Sequence, residues 1–332
     1  MNYGLLMTTS RTLGSSGPTV FPLALGCMGM SSMYGETDDN ASIATIHAAL
    51  ERGIDLIDTG DFYGSGHNEM LIGRALRDRR DKARVSVKFG ALRAPGGGWT
   101  GVDTRPIAIK NYLAYTLTRL GLDHVDIYRP ARLDPAVPIE DTIGAIADLV
   151  KAGYVRAIGL SEVGPDTIRR AHAVHPIADL QIEYSLISRG PEDKIFPVLA
   201  ELGIGVTAYG VLSRGLLTGS KPKQGDFRAY LPRFSGANAE RNAELVARLH
   251  AIAAELKLKP AQLPIAWVLA KGERIVPVIG ARTPAQLADS LAAIDVTLSP
   301  ADVARIEQVV AEVGVAGTRY DAHQMNVLDS ER

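Results

Sequence analysis

Eight short apolar runs alternate with stretches of helical periodicity along this chain, from about residue 20 to about residue 295. The runs are 22–26, 54–58, 84–88, 125–128, 155–160, 180–183, 205–208 and 275–279. Amphipathic segments lie between them, at 42–52, 68–77, 107–120, 139–151, 166–175 and 284–293. In 139–151, for instance, Ile143, Ile146, Leu149 and Val150 recur at helical spacing. Glu140 and Asp141 stand near its start and Lys151 at its end, the polarity that a helix dipole favours. Strands alternating with helices are parallel strands joined by right-handed crossovers. Eight such units can close on themselves, so the expected fold is α/β, a (β/α)8 TIM barrel. The turn Gly14-Ser15-Ser16-Gly17 within 11–20 predicts a β-hairpin ahead of the first strand. Segments 238–256, 260–271 and 300–313 predict extra helices, and the polar tail after Gly314 reads as irregular.

A length of 332 residues suits one large barrel, and no Pro- or Gly/Ser-rich linker divides the chain. One domain is therefore expected over 1–332, with the barrel at about 20–295 and a C-terminal helix and tail at 299–332. The 36 basic and 37 acidic residues nearly cancel and form no long like-charge run, so no nucleic-acid or membrane-surface partner is expected. A single cysteine, Cys27, excludes an intrachain disulfide and fits a reducing cytoplasm, the expected location. No apolar run reaches the roughly eighteen residues of a membrane span. Residues 1–7 read equally as a leader or an alternative start, without the basic region of a signal peptide. His172 and His175 stand three apart with no further ligand cluster, so no metal is expected.

In a barrel of this kind, reactive groups gather at the C-terminal ends of the strands. The second run ends in Asp58 and leads to Phe62 and Tyr63; the third ends in Lys88. A free tyrosine ionises near pH ~10 and is a poor acid at neutrality. A neighbouring ammonium favours its phenolate. Lys88, if buried, needs a counter-charge, which Asp58 stands ready to supply. Together they would let Tyr63 protonate a developing alkoxide. Singly, Asp58 suits a turn, Lys88 a surface stem and Tyr63 a packed ring. Their convergence at adjacent strand ends favours the chemical reading.

The segments 25–30, 58–64, 67–69, 87–90, 153–161, 181–185, 208–219 and 277–290 resemble the aldo-keto reductase family over nearly the whole chain. That resemblance implies NADPH-dependent reduction of an aldehyde or ketone to an alcohol, by a monomer or small homo-oligomer. It places Asp58, Tyr63 and Lys88 in three of the family's four catalytic positions. The fourth, a histidine that orients the carbonyl, aligns with Ala131, which cannot hydrogen bond through its side chain. Orientation would then come from a substrate hydroxyl, Arg129 or Arg132, or the pocket is widened for another substrate. His67 lies on the correct face; His124 precedes its strand and belongs at the opposite end.

The same resemblance lays NADPH/NADP+ across the barrel mouth, beside Met28. Ser161, Glu162 and Gln181 would hold the nicotinamide carboxamide, although many members carry asparagine where Glu162 stands. Tyr209 would stack on the nicotinamide. The loop Gly210, Val211, Leu212, Ser213, Arg214 and Gly215 suits a pyrophosphate. Gly280, Ala281, Arg282 and Gln286 would take the ribose 2′-phosphate at a helix N-terminus, with Asp289 and Ser290 against the adenine. Gly96–Gly101 matches GxGxxG formally, but it does not join a strand directly to a helix. Residues 90–105 and 210–236 read as long loops, of which 90–105 and 222–236 are expected to shape the pocket, together with the tail after Gly314. Tyr34, Phe62, Trp99 and Phe227 are candidate apolar walls, with Ala131 and Arg129 also in the substrate pocket. Two other readings remain: a Schiff-base enzyme using Lys88, and a nicotinamide-nucleotide-binding regulatory protein.

Overall fold

The structure is a computed structural model that describes residues 10–31, 35–222 and 226–332. Eight parallel strands close a barrel: β1 (Ala24–Gly26), β2 (Leu56–Gly60), β3 (Arg84–Phe89), β4 (Val125–Pro130), β5 (Val155–Ser161), β6 (Ile177–Glu183), β7 (Gly205–Tyr209) and β8 (Ile275–Gly280). They follow one another around the barrel in sequence order, β8 pairing with β1. The fold class expected from the alternating pattern is the one observed. Helices α1 (Asp39–Glu51), α2 (His67–Leu76), α3 (Pro106–Leu120), α4 (Ile139–Lys151), α5 (Pro165–Val174) and α6 (Pro191–Leu202) form part of the outer layer. Helices α7 (Gly236–Glu255), α8 (Gln262–Ala270), α9 (Pro284–Leu291) and α10 (Pro300–Val313) follow.

Three segments depart from the sequence reading. Helix α6 was not expected, because Pro191 and Pro197 punctuate it. Pro191 takes the first helical position, where its missing N–H costs nothing. Pro197 removes an internal bond, and burial of Ile195, Val198 and Leu199 against the barrel offsets that loss. The loop after β3 is not wholly irregular: Ala91–Arg93 pairs antiparallel with Trp99–Val102. Gly97 takes φ 89° at the tip of this ribbon, so the glycine-rich stretch is its turn. The tail folds into a short helix, α11 (Ala322–Asn326), and a 3-10 turn, Asp329–Glu331.

Side chains inside the barrel lie in layers, because alternate strand residues share a face. The lowest layer is apolar: Ala24, Leu56, Ile127, Ala157 and Val276 pack with Leu13 and Val20. Those last two come from the N-terminal hairpin, whose strands Arg11–Thr12 and Thr19–Val20 pair antiparallel and plug the bottom. The Arg11 guanidinium ties it there through the carbonyls of Leu269 (2.8 Å) and Gly272 (2.7 Å). Above it, five of the eight strands contribute a buried polar layer, made of Asp58, Ser86, Arg129, Asp179 and Thr207. The next step brings Lys88, Gln181 and Tyr209 to the mouth.

Candidate active site

Asp58 and Lys88 meet at the mouth, the Lys88 Nζ donating to Asp58 Oδ2 at 2.6 Å and to Gln181 Oε1 at 2.8 Å. The other Asp58 oxygen accepts from Gln181 Nε2 (2.9 Å) and Ser86 Oγ (3.2 Å). Burial lowers the Lys88 pKa, and the adjoining Asp58 opposes that shift. The Lys88 ammonium lies 5.3 Å from the centre of the Tyr63 ring. Tyr63 itself is buried and opens the 3-10 turn Tyr63–Gly66 that follows β2. Asn68 ties down the start of α2, donating to the Cys27 carbonyl and Ser31 Oγ, both at 2.8 Å, while it accepts from Thr59 at 2.6 Å. The turn that carries Tyr63 is thus clamped to β1 and β2.

Below the pair runs a continuous polar chain. Arg129 Nη1 donates to Asp179 Oδ2 at 2.9 Å, and Arg129 Nη2 donates to Ser86 Oγ at 3.0 Å. Thr207 Oγ1 donates to the same Asp179 oxygen at 2.5 Å and lies 3.4 Å from Gln181 Nε2. Arg129 was expected on a pocket wall. It is instead shut inside the barrel, because Asp179 demands a buried counter-charge. Ser86, Asp179 and Thr207 were not singled out from sequence. Their signal was polar residues at alternate positions of otherwise apolar strands.

Ala131 is nearly fully buried and follows β4, its N–H donating to the Phe89 carbonyl at 2.8 Å. Beside it, Arg132 donates to the Ala131 carbonyl at 2.7 Å. Phe62 meets Tyr63 edge-on with centroids 4.8 Å apart, and Trp99 meets Phe62 at 5.3 Å. Trp99 is half exposed on the ribbon and also lies under Arg93. Phe227 sits on the 3-10 turn Phe227–Tyr230. Tyr34 falls outside the described residues. His67 is held at the periphery between Ser31 (2.9 Å) and Asp39 (3.1 Å), and His124 lies with Arg80 and Asp123, at the start of β4.

The residues expected around a cofactor surround the same mouth. Met28 lies on the 3-10 turn after β1, partly exposed; Ser161 ends β5 and is buried. Gln181 is fully engaged with Asp58, Lys88 and Thr207. Glu162 departs furthest from its expected role of holding a carboxamide. It is fully buried at φ 54°, and its oxygens accept from Arg319, Tyr209, Ser330 and the Glu183 N–H. Tyr209 ends β7 half-buried, with its hydroxyl turned to Glu162. Burial and the Glu162 charge push that hydroxyl's pKa up, so it stays a donor.

In the 210–215 loop, Ser213 (φ 46°) and Arg214 (φ 55°) are left-handed. Arg214 pairs with Glu183 at 2.9 Å and lies over the Tyr320 ring. Of the five non-glycine residues with positive φ among those described, Ser65, Glu162, Ser213 and Arg214 all sit around the mouth. Strain of this kind gathers where surrounding structure enforces it. At the far end, Ala281 is buried and Arg282 is exposed, just before α9. The Arg282 N–H donates to Gln286 Oε1 at 3.0 Å, and Thr283 caps the helix through the Gln286 N–H at 3.2 Å. Ser290 is buried, and Asp289 pairs with Lys259. A guanidinium beside a helix N-terminus is a donor set that fits a phosphate. Among the described residues no group of three or more His, Cys, Asp or Glu has the geometry of a metal site, and no helix is long and apolar enough to cross a membrane.

A parallel barrel whose mouth holds a buried lysine–carboxylate pair beside a phenol is a site built for acid–base chemistry. Comparison with known proteins identifies the family. The model of the aldo/keto reductase family matches residues 22–311. A probable aldo-keto reductase from Glycine max is 38% identical over 93% of this chain and 90% of its own length. The solved glycerol dehydrogenase from Gluconobacter oxydans superposes with a TM-score of 0.84 at 28% identity, over 92% of this chain and 96% of that one. An aldo-keto reductase from Bacillus halodurans, in its holo form, does so at 0.75 and 28%, over 95% and 99%. The chain belongs to the aldo/keto reductase family. Its general chemistry is carbonyl reduction with a nicotinamide cofactor and a small-molecule carbonyl substrate.

Proposed function

We propose that this protein is an NADPH-dependent reductase that converts an aldehyde or ketone to an alcohol, with Tyr63 as the general acid. The observation that carries this reading is the Lys88 ammonium, held at 2.6 Å by Asp58 and 5.3 Å from the centre of the Tyr63 ring. A bound reduced nicotinamide supplies the hydride. The protein's own part is to protonate the oxygen as negative charge develops on it. Lys88 favours loss of the phenolic proton, because a nearby cation stabilises the phenolate. Asp58 and Gln181 fix the lysine in place, so little reorganisation accompanies the transfer. Phe62 and Trp99 offer the substrate an apolar wall. With Ala131 in the slot of the orienting histidine, the carbonyl takes its second hydrogen bond elsewhere. Arg132, next to that slot in the chain, donates to the Ala131 carbonyl and is the donor we assign to it.

Selectivity for NADPH over NADH rests on Arg282 and the N-terminus of α9. Arg282→Ala is expected to raise KM for NADPH by about tenfold or more, the scale of a lost guanidinium–phosphate contact, and to leave KM for NADH nearly unchanged. Steady-state oxidation of each cofactor, over a panel of aldehydes, ketones and quinones, measures both. Equal losses for the two cofactors would refute the 2′-phosphate assignment. No carbonyl-dependent oxidation of either cofactor would refute the activity.

A further inference from the structure

Glu162 stands where the family resemblance expects asparagine, and it has no hydrogen-bonding capacity left for a ligand. Its Oε1 accepts from the Glu183 N–H (2.9 Å), the Tyr209 hydroxyl (2.7 Å) and Arg319 Nη1 (2.8 Å). Its Oε2 accepts from Arg319 Nη2 (2.5 Å) and Ser330 Oγ (2.7 Å). A carboxylate has about four lone-pair sites, so these five bonds saturate it. Two of the donors come from the C-terminal tail.

The tail is stitched to the mouth at several other points. Arg319 is buried and also pairs with Glu331 at 2.7 Å. Asp329 accepts from the Gly164 N–H at 2.8 Å, at the start of α5. The Tyr320 hydroxyl lies 3.0 Å from that of Tyr209, and Arg319 Nη1 is 3.4 Å from it. Three partners therefore surround one hydroxyl at the end of β7, while the Tyr209 ring remains partly exposed. Burial alone would raise the Glu162 pKa; Arg319 and then Arg132 outweigh it and hold the carboxyl at about 2. The lock is a fully ionised pair in the interior, and it joins chain positions 157 residues apart.

We propose that Arg319 is a positioning residue of the cofactor site: by gripping Glu162 and the Tyr209 hydroxyl, it fixes the plane of the ring on which the nicotinamide stacks. The proposal rests on the reading of Tyr209 given above. It explains why glutamate can occupy the asparagine position. There the side chain no longer touches the carboxamide but anchors the tail, and the tail orients the stacking platform. Substituting Arg319 leaves a buried carboxylate without its main counter-charge, so Glu162 and Tyr209 lose their fixed geometry.

The test compares binding of NADPH with binding of adenosine 2′,5′-bisphosphate, which has no nicotinamide half, by calorimetry. In Arg319→Ala the Kd for NADPH should rise about tenfold or more, while that of the bisphosphate stays within about twofold. The double substitution Glu162→Asn, Arg319→Ala removes the buried orphan charge but also both groups that grip the Tyr209 hydroxyl, so NADPH should still bind more weakly than to wild type; full recovery would reduce the effect to charge imbalance and overturn the proposal. Parallel weakening of both ligands would mark Arg319 as merely structural and overturn the proposal, as would unchanged NADPH affinity. If Arg319→Ala does not fold, Tyr209→Phe carries the test. It keeps the ring and loses only the gripped hydroxyl, so NADPH alone should weaken, and equal affinity to wild type would overturn the proposal. Wild-type protein that binds the bisphosphate and NADPH with equal affinity contradicts the stacking reading itself, an outcome separate from any effect of Arg319.

Discussion

Asp61 shows how a single side chain next to the reactive turn is set by its surroundings. Burial, and then the neighbouring Glu69, raise its pKa to about 7. One of its oxygens is buried without a partner, and the other accepts from the Gly90 N–H at 3.4 Å. The ordinary aspartate value is about 4. A carboxyl whose folded pKa is raised contributes stability that is complete below the unfolded pKa and lost as pH rises through the folded one. Asp61→Asn should therefore flatten the fall in Tm between about pH 4 and pH 7 and leave the variant more stable than wild type at about pH 8. Unchanged pH dependence in thermal melts would show that the group titrates normally. Gly159 makes a second point at this scale. A Cβ there would lie 2.8 Å from Asp179 Oδ1 and 2.9 Å from Arg129 Cζ. Gly159→Ala is expected to cost about 1–3 kcal/mol in chemical denaturation, because both partners of a buried ion pair must shift.

At the scale of elements, strand positions were legible in the sequence because each strand is buried on both faces and reads as a continuous apolar run. β6 shows the limit of that signal. Its run was read as 180–183, yet the strand begins at Ile177, because Asp179 interrupts the apolar pattern while serving the buried chain. Helix α6 was hidden by its prolines, and the ribbon after β3 by its glycines. Terminal signals were clearer. Helix α10 begins with a capping box in which Ser299 Oγ accepts the Asp302 N–H and the Asp302 carboxylate accepts the Ser299 N–H, both at 3.1 Å. Ser299→Ala should lower stability by about 1 kcal/mol in urea denaturation, without altering the chemistry at the mouth. A loss of activity at unchanged stability would mean that α10 reaches the site in some other way.

Across the whole molecule, the barrel is stratified from an apolar plug, through a buried polar chain, to a reactive mouth. The period of two along each strand is what sorts the residues into these levels. That logic made the meeting of Asp58 and Lys88 foreseeable from two adjacent strand ends. It could not reveal the tail, since Arg319 touches Glu162 through closure of the chain and no local pattern encodes the contact. Nor could it show that Arg129 is spent inside the barrel, because its partner Asp179 lies 50 residues away. The two ends of the chain serve opposite ends of the barrel: the hairpin seals the bottom, and the tail braces the mouth. The central claim is that the Tyr63 hydroxyl supplies the proton. Its most direct test is single-turnover reduction of a carbonyl by Tyr63→Phe with saturating NADPH. The reduction rate should fall by about two to four orders of magnitude while NADPH affinity is unchanged. Turnover within a few-fold of wild type would contradict the account.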